Sequence, residues 1–352
     1  MAELLKQEEK AIFALRELYQ RYGYSRFKMS KFEPYDLYMQ NKDFLVSDGI
    51  ITFTDTDGTL MALKPDVTLS IVKNFRKEAT PIQKVHYSEN VYRIAGASHT
   101  YREIMQTGLE CLGDVGLYEI CDVILLAVKS LQSVSERFVL DISHMQIVSD
   151  AIQQLSLSYE QRALVLQAIA DKNEDALSAY PLLQELLKTS GPMAQVLPKL
   201  QAFSDPDPVK QLNTIYELLE QNGLADYVQI DFSIVNDMNY YNGIVFRGYV
   251  EGIPTGILSG GQYDKLMSKM GKNARGIGFA VYLDQLERLD KRQKQYDMDI
   301  VVLYKEDDVL SLSKLADTLS ADGSSVLLVK QLPYNLRYRR LLRYENGRLE
   351  HG

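Results

Sequence analysis

The chain has 352 residues, of which 46% are hydrophobic, and it carries a formal net charge of −8 with a pI near 5.2. This length and apolar content exclude a disordered chain and suffice for one large core with one or two smaller modules. The acidic balance disfavours a nucleic-acid partner, because such proteins usually present clustered Lys and Arg side chains.

The cysteines and the N-terminal sequence indicate the compartment. Cys111 and Cys121 lack the spacing of a zinc site or a redox pair, so both are expected to be reduced packing residues. The N-terminus is amphipathic and charged, unlike a secretory signal, and no apolar run approaches the roughly 20 residues that cross a bilayer. We expect a soluble, cytoplasmic protein with no membrane segment.

The first part of the chain predicts a helix followed by paired strands. Apolar residues at helical spacing predict an N-terminal helix. Asp57 and Gly58 predict a tight hairpin within GIITFTDTDGTLMAL, and Asp66 stands at the start of the predicted helix DVTLSIVKNFRK. Residues 82–113 then predict two long antiparallel strands joined by a loop at 95–99.

The rest of the chain predicts further strands around a helical insertion. GLYEICDVILLAVKSL is typical of a helix packed on a sheet, and RFVLDIS of a strand. Residues 145–225 predict the insertion, after which strand character resumes in YVQIDFSIV, YYNGIVFRGYV, GILSGG and RGIGFAVYL. This order predicts an α+β core over residues 1–295. Residues 296–352 predict a small α/β unit of strand, helix and strand.

Two sets of polar or aromatic residues leave the function open. Gln106 and Glu110 share one strand face across Gly108, and these residues by themselves favour a solvated sheet face. Tyr240 and Tyr241 would ordinarily be core or hairpin aromatics. The histidines lack metal-ligand spacing, so we predict no metal site and no cofactor.

Four segments in order resemble the histidyl-tRNA synthetases, which are class II aminoacyl-tRNA synthetases. LKPDVT (63–68) is similar to their LRPEGT segment, VYRIAGASHTYREIMQTGLECLG to motif 2, NDMNYYNGIVF to the RGLDYYTGTVF histidine signature, and GGQYDKL with GIGFAVYLDQL to motif 3. The resemblance covers roughly residues 5–290. It implies an antiparallel sheet flanked by helices.

The resemblance implies that a histidine pocket is retained. Asp66, Thr68 and Gln106 occupy the family positions that receive the α-amino group, where a carboxylate with neutral acceptors suits an ammonium. Arg93, the arginine of motif 2, is the expected partner of the ligand carboxylate.

The same resemblance assigns the imidazole end of the pocket. Glu110 and Tyr240 occupy the positions that bracket the ring, where an acid can accept a ring N–H and an aromatic limits the space. Tyr241 lies beside them in sequence.

Several departures from the family pattern affect ATP handling. Asn236 and Gln285 stand where the family has arginines of the histidine signature and motif 3, Ala95 replaces a glutamate of motif 2, and Tyr282 replaces a glycine. Ser30 replaces the proline of motif 1. Losing two charge-assisted contacts removes roughly 3–6 kcal/mol, or on the order of 10²–10⁴ in rate. We expect negligible adenylation and assign no catalytic residue.

A synthetase-like chain of this kind is similar to the regulatory subunits of ATP phosphoribosyltransferase. That resemblance implies assembly with the short catalytic subunit into a hetero-octamer of four plus four chains, self-association through the synthetase-like dimer interface, L-histidine as ligand, and no tRNA partner. An active histidyl-tRNA synthetase and a structural adaptor with a vestigial pocket remain alternatives, as does an enzyme that ligates histidine to another acceptor.

Overall fold

A computed structural model describes residues 6–45, 49–77, 80–95, 100–235, 241–289, 296–305 and 308–351. The chain divides into two compact units, Met1–Leu289 and Asp290–Gly352. The expected boundary at 295/296 falls beside residues 290–295, which lie outside the described residues. Within the described ranges, no helix is long and apolar enough to span a membrane.

The helices of the described chain are α1 Gln7–Arg21, α2 Tyr35–Met39, α3 Thr68–Asn74, α4 Leu117–Val134, α5 Met145–Gln153, α6 Tyr159–Ala170, α7 Pro181–Lys188, α8 Met193–Val196, α9 Pro206–Gln221, α10 Asp264–Lys269 and α11 Val309–Ser320. Short 3-10 helices cover Lys42–Phe44, Asp175–Leu177, Leu197–Ala202, Ala225–Tyr227 and Leu283–Leu289.

The strands are β1 Ser25–Arg26, β2 Phe32–Pro34, β3 Thr52–Thr54, β4 Leu60–Leu63, β5 Ile82–Ala95, β6 Thr100–Gly113, β7 Phe138–His144, β8 Gly191–Pro192, β9 Val228–Ile230, β10 Ile244–Val250, β11 Leu258–Gln262, β12 Arg275–Tyr282, β13 Met298–Tyr304, β14 Val326–Val329, β15 Tyr338–Glu345 and β16 Arg348–His351.

The larger unit is built on one sheet in the order β1-β5-β6-β12-β11-β10-β7-β9-β8. From β5 to β7 every neighbouring pair is antiparallel. The predicted α+β class with an antiparallel sheet is therefore confirmed. The two long strands predicted at 82–113 form the β5–β6 pair.

Helices cover one face of this sheet. α4 carries Ile120, Val123, Ile124, Ala127 and Leu131 at helical spacing, and all of them are buried in the main core. α1 packs against the same layer. Burying each large apolar side chain contributes about 1.5–3 kcal/mol, so this layer fixes the sheet from one side.

The other face of the sheet carries a second, smaller core and leaves a cavity. Its apolar cluster joins α3 and α10 to the sheet. The small sheet β2-β4-β3 belongs to the same region, and its hairpin turns at Gly58, whose φ is +87°. The tight turn predicted at Asp57 and Gly58 is therefore present.

The predicted insertion at 145–225 holds α5 to α9, interrupted at Gly191 and Pro192 by the two-residue strand β8. The first strand after the insertion is shorter than expected. YVQIDFSIV forms β9 only as far as Ile230, because the Asp231 carboxylate accepts the Ser233 backbone N–H at 2.9 Å and turns the chain.

The C-terminal unit is larger than the predicted strand-helix-strand arrangement. It contains a four-stranded sheet in the order β14-β13-β15-β16 with α11 packed on one face. The additional hairpin β15–β16 turns at Asn346 and Gly347, with φ values of +51° and +73°. Positive φ at both central residues is typical of a type I′ hairpin turn.

Candidate functional site: a polar cavity on the open face of the sheet

A cavity of about 610 Å³ lies on the face of the large sheet opposite α4. Six of the seven predicted pocket residues line it, namely Asp66, Thr68, Arg93, Gln106, Glu110 and Tyr241. The seventh, Tyr240, lies outside the described residues. The structure thus brings together side chains from β5, β6, the start of α3 and the segment before β10.

Glu110 stands at the centre of the hydrogen-bonding arrangement. The Thr68 hydroxyl donates to Oε1 at 2.7 Å, and the Tyr263 hydroxyl donates to Oε2 at 2.5 Å. The side chain is only 2% exposed. Burial raises the pKa of Glu110 to about 8, although both hydroxyl donors act to lower it and nearby Asp66 raises it further.

The LKPDVT segment is tied to β5 by three contacts. Lys64 forms a buried ion pair with Glu89 at 2.5 Å, and the Lys64 carbonyl accepts the Tyr92 backbone N–H at 2.9 Å. Arg93 Nε donates to the carbonyl oxygen of Pro65 at 3.1 Å. These contacts hold the start of α3 above the sheet, where Thr68 reaches Glu110.

Asp66 and Gln106 provide the groups predicted to receive an ammonium. The Asp66 carboxylate accepts the Leu69 backbone N–H at 2.9 Å, and burial raises the pKa of Asp66 while Arg93 opposes the shift. Gln106 is 3% exposed, and its Nε2 has no hydrogen-bond partner within the described chain. A buried amide N–H without a partner is costly, which favours an acceptor atom of a ligand or water beside Nε2, while the Gln106 oxygen is the atom that can accept from an ammonium.

Small residues form the floor of the cavity. A Cβ at Gly278 would lie 1.8 Å from Glu110 Oε2, and one at Gly261 would lie 2.7 Å from the Tyr241 ring. Neither position has room for a side chain. The neighbouring Gly260 faces the other side of the sheet, where an added Cβ would meet Phe279 and Phe246.

The residues that depart from the synthetase pattern differ in their position relative to the cavity. Tyr282 lines the cavity. Gln285 is absent from the cavity lining and contacts Asp284 and Thr255 instead. Asn236 and the loop at 96–99 lie outside the described residues, and Ala95 ends β5.

Two residues of the site were missed by the sequence reasoning. Tyr263 is 2% exposed and packs its ring over Gly276 while its hydroxyl reaches Glu110. Arg247 lines the cavity from β10. The signal for Arg247 was a single charged residue within the apolar strand IVFRGYV, where alternation places it opposite the buried Phe246.

The charges of the described lining are close to balanced. It holds two guanidinium groups, Arg93 and Arg247, and the carboxyl groups of Asp43, Asp66 and Glu110. The pKa of about 8 keeps Glu110 largely protonated at neutral pH. Such a lining suits a zwitterion, whereas a triphosphate needs several further cations.

Comparison with known proteins gives one family model, described as histidyl-tRNA synthetase, that matches residues 2–286. A protein from Caldanaerobacter subterraneus named ATP phosphoribosyltransferase regulatory subunit is 28% identical over 88% of this chain and 87% of its own length. A protein of the same name from Clostridium kluyveri is 29% identical over 88% of this chain and 85% of its own length.

Solved structures share the fold. A Bacillus halodurans protein described as ATP phosphoribosyltransferase regulatory subunit/histidyl-tRNA synthetase superposes with a TM-score of 0.77 at 22% identity, covering 96% of this chain and 93% of that chain. A chain of the ATP phosphoribosyl transferase complex from Thermotoga maritima gives a TM-score of 0.62 at 20% identity, covering 78% of this chain and 97% of that chain.

Proposed function

The chain belongs to the histidyl-tRNA synthetase family, and within that family we propose that it is a regulatory subunit of ATP phosphoribosyltransferase. It binds L-histidine in the cavity, assembles with a short catalytic subunit, and confers feedback inhibition on the first step of histidine biosynthesis. The observation that carries this proposal is the alignment of relatives with that name over nearly 90% of the chain.

The histidine pocket follows from the polar groups around the cavity. Glu110 is the proposed group for the imidazole, beside Tyr241, and Asp66, Thr68 and the Gln106 side-chain oxygen are the proposed acceptors for the α-amino group. Tyr240, the other aromatic predicted for the ring, lies outside the described residues. The sequence predicts Arg93 as the guanidinium for the carboxylate, and a second guanidinium, that of Arg247, also lines the cavity.

Absence of activity in the isolated chain follows from charge. Amino-acid activation requires preorganised cations around the ATP phosphates. Gln285 carries no charge and contacts Asp284 rather than the cavity, and Tyr282, which lines the cavity, has a bulky side chain where the family has glycine.

The proposed assembly is a cytoplasmic hetero-octamer of four regulatory and four catalytic chains, with the regulatory chains paired as in the synthetases.

Regulation requires that histidine bind one assembly state more tightly than another, because a ligand with equal affinity for both shifts nothing. A coupling of about 1–3 kcal/mol changes the partner's activity by roughly 5- to 150-fold.

The proposal is tested by co-purifying the chain with a short ATP phosphoribosyltransferase catalytic subunit. We expect a stable complex, and we expect the catalytic subunit to be active only when this chain is present. Failure of the two chains to associate at micromolar concentrations contradicts the proposal.

The rival is a working histidyl-tRNA synthetase, which the family membership also favours. Pyrophosphate exchange dependent on histidine and ATP separates the two functions. We expect no exchange above background, and clear turnover would establish the synthetase instead.

A further inference from the structure

Arg247 projects from β10 toward the same sheet face as Gln106 and Glu110. In the strand register Arg247 lies beside Ser259 of β11, which also lines the cavity. Its alkyl chain passes over Gly256, where an added Cβ would lie 2.8 Å from Arg247 Cγ. Within the described chain the Arg247 guanidinium has no hydrogen bond and no ion pair within 4 Å.

The position of Arg247 relative to Glu110 suits a ligand the size of one amino acid. Three strand spacings separate β6 from β10, which is about 14 Å, and Arg247 is two residues further along its strand than the level of Glu110. The two Cα atoms are therefore about 16 Å apart. An extended arginine, a glutamate and one amino acid span that gap.

The backbone of Arg93 is farther from Glu110 than that of Arg247, and Arg93 Nε is already engaged. Glu110 pairs with Val85 and Arg93 pairs with Arg102, so eight residues of strand, or about 26 Å before curvature, separate the two levels. Arg93 Nε is also committed to the carbonyl oxygen of Pro65. A ligand whose ring sits at Glu110 therefore has a second guanidinium, that of Arg247, on the lining of the same cavity.

A competing carboxylate lies directly beside Arg247. Asp141 of β7 is its register partner on the same face, and both line a second cleft that also holds Asp231 and Lys172. Burial raises the pKa of Asp141 to about 6, Asp231 raises it further, and Lys172 and Arg247 oppose the shift. Lys172 is already paired with Asp231 at 2.8 Å, so Arg247 is the cation left beside Asp141.

We propose that Arg247 is the guanidinium that pairs with the carboxylate of the amino acid bound at Glu110, and that Asp141 competes with that carboxylate for it. This inference rests on the proposed histidine pocket and adds a residue that determines its specificity. A ligand with an imidazole and an amine but no carboxylate gains nothing from Arg247.

The test compares L-histidine with histamine, which lacks the carboxylate, by calorimetry on the full chain. We expect wild type to prefer L-histidine by about 10- to 150-fold, the range of one charge-assisted hydrogen bond. Arg247→Gln should abolish that preference without changing the affinity for histamine, and Arg247→Lys should retain part of it. Asp141→Asn should increase the preference several-fold, because the competitor is removed.

Two matched variants complete the design. Arg137→Gln removes an exposed arginine that pairs with Glu251, and it should leave both affinities unchanged. If Arg93→Gln abolishes the preference while Arg247→Gln keeps it, or if Arg247→Gln weakens both ligands equally, the assignment to Arg247 is wrong. Wild type that binds neither ligand removes the histidine pocket and this inference together.

Discussion

At the residue scale, the site depends on a carboxyl group that is buried and held by two hydroxyls. Thr68 and Tyr263 each donate to one oxygen of Glu110, yet desolvation dominates and raises its pKa to about 8. Glu110 therefore keeps its proton near neutral pH. Neutral histidine that enters can share this proton between its ring and the carboxyl group.

This proton makes the stability of the protein depend on pH in a defined direction. The folded-state pKa of Glu110 is about 8 against an ordinary value of 4.5, so the folded state binds more protons between these values. The contribution of Glu110 to the free energy of unfolding is fully present below about pH 4.5 and is lost as pH rises toward about 8. Glu110→Gln, which resembles the protonated acid, does not titrate.

Urea unfolding of wild type and Glu110→Gln between about pH 5 and pH 8 measures this effect. We expect the variant to gain stability relative to wild type as pH rises, because only wild type must take up a proton on Glu110 when it folds. A stability difference that stays constant across this range would contradict the raised pKa.

Sequence alone could identify some residues of the site but not others. Four lining residues could be identified because they lie on two segments that match family motifs. Asp66 and Thr68 belong to LKPDVT, and Gln106 and Glu110 belong to the motif 2 segment. Arg247 was missed because its exposure to the cavity depends on which strands neighbour β10, which only the tertiary fold determines.

At the element scale, the cavity exists because its floor lacks side chains. β12 runs beside β6 with Gly278 opposite Glu110 and Ala280 opposite Gly108, so the central strands present small residues on this face. The bulky residues of the same strands, such as Phe279, alternate toward the helices.

Replacing Gly278 by Ala should therefore damage both binding and folding. The new Cβ would lie 1.8 Å from Glu110 Oε2 and 2.4 Å from the Leu109 carbonyl oxygen, and the backbone atom cannot rotate away. We expect a loss of about 1–3 kcal/mol in the free energy of unfolding, together with loss of histidine binding by calorimetry.

Gly116→Ala is the matched control for this substitution. A Cβ at Gly116 meets only the flexible end of Glu119, at 3.3 Å, and the residue lies away from the cavity. It should retain histidine binding. Equal loss of binding in both glycine variants would mean that Gly278 has no special relation to Glu110.

The elements that sequence reasoning missed have local causes. The dipeptide Asn346-Gly347 carries a hairpin signal, but the arginine-rich strand before it has little apolar alternation, so β15 and β16 were not predicted. β9 ends early because the Asp231 side chain competes with the strand for a backbone N–H. In both cases polar side chains, and not the apolar residues on which the prediction relied, explain the difference.

At the scale of the whole molecule, the distribution of charge links a synthetase fold to a regulatory role. The described cavity can pair with both charges of a zwitterionic amino acid. Its lining has two guanidinium groups but also three carboxyl groups, which disfavour the binding of a triphosphate. The chain's net charge of −8 likewise disfavours tRNA. A sensor of histidine must bind histidine but does not need to activate it with ATP.

The central claim is tested most directly by titrating L-histidine into the assembled complex with its catalytic subunit and measuring phosphoribosyl transfer to ATP. We predict inhibition that saturates with wild type and disappears with Glu110→Ala, while Glu103→Ala, an exposed residue on the same strand, remains inhibited. If Glu110→Ala assembles normally and is inhibited at the same histidine concentration as wild type, this cavity is not where histidine acts.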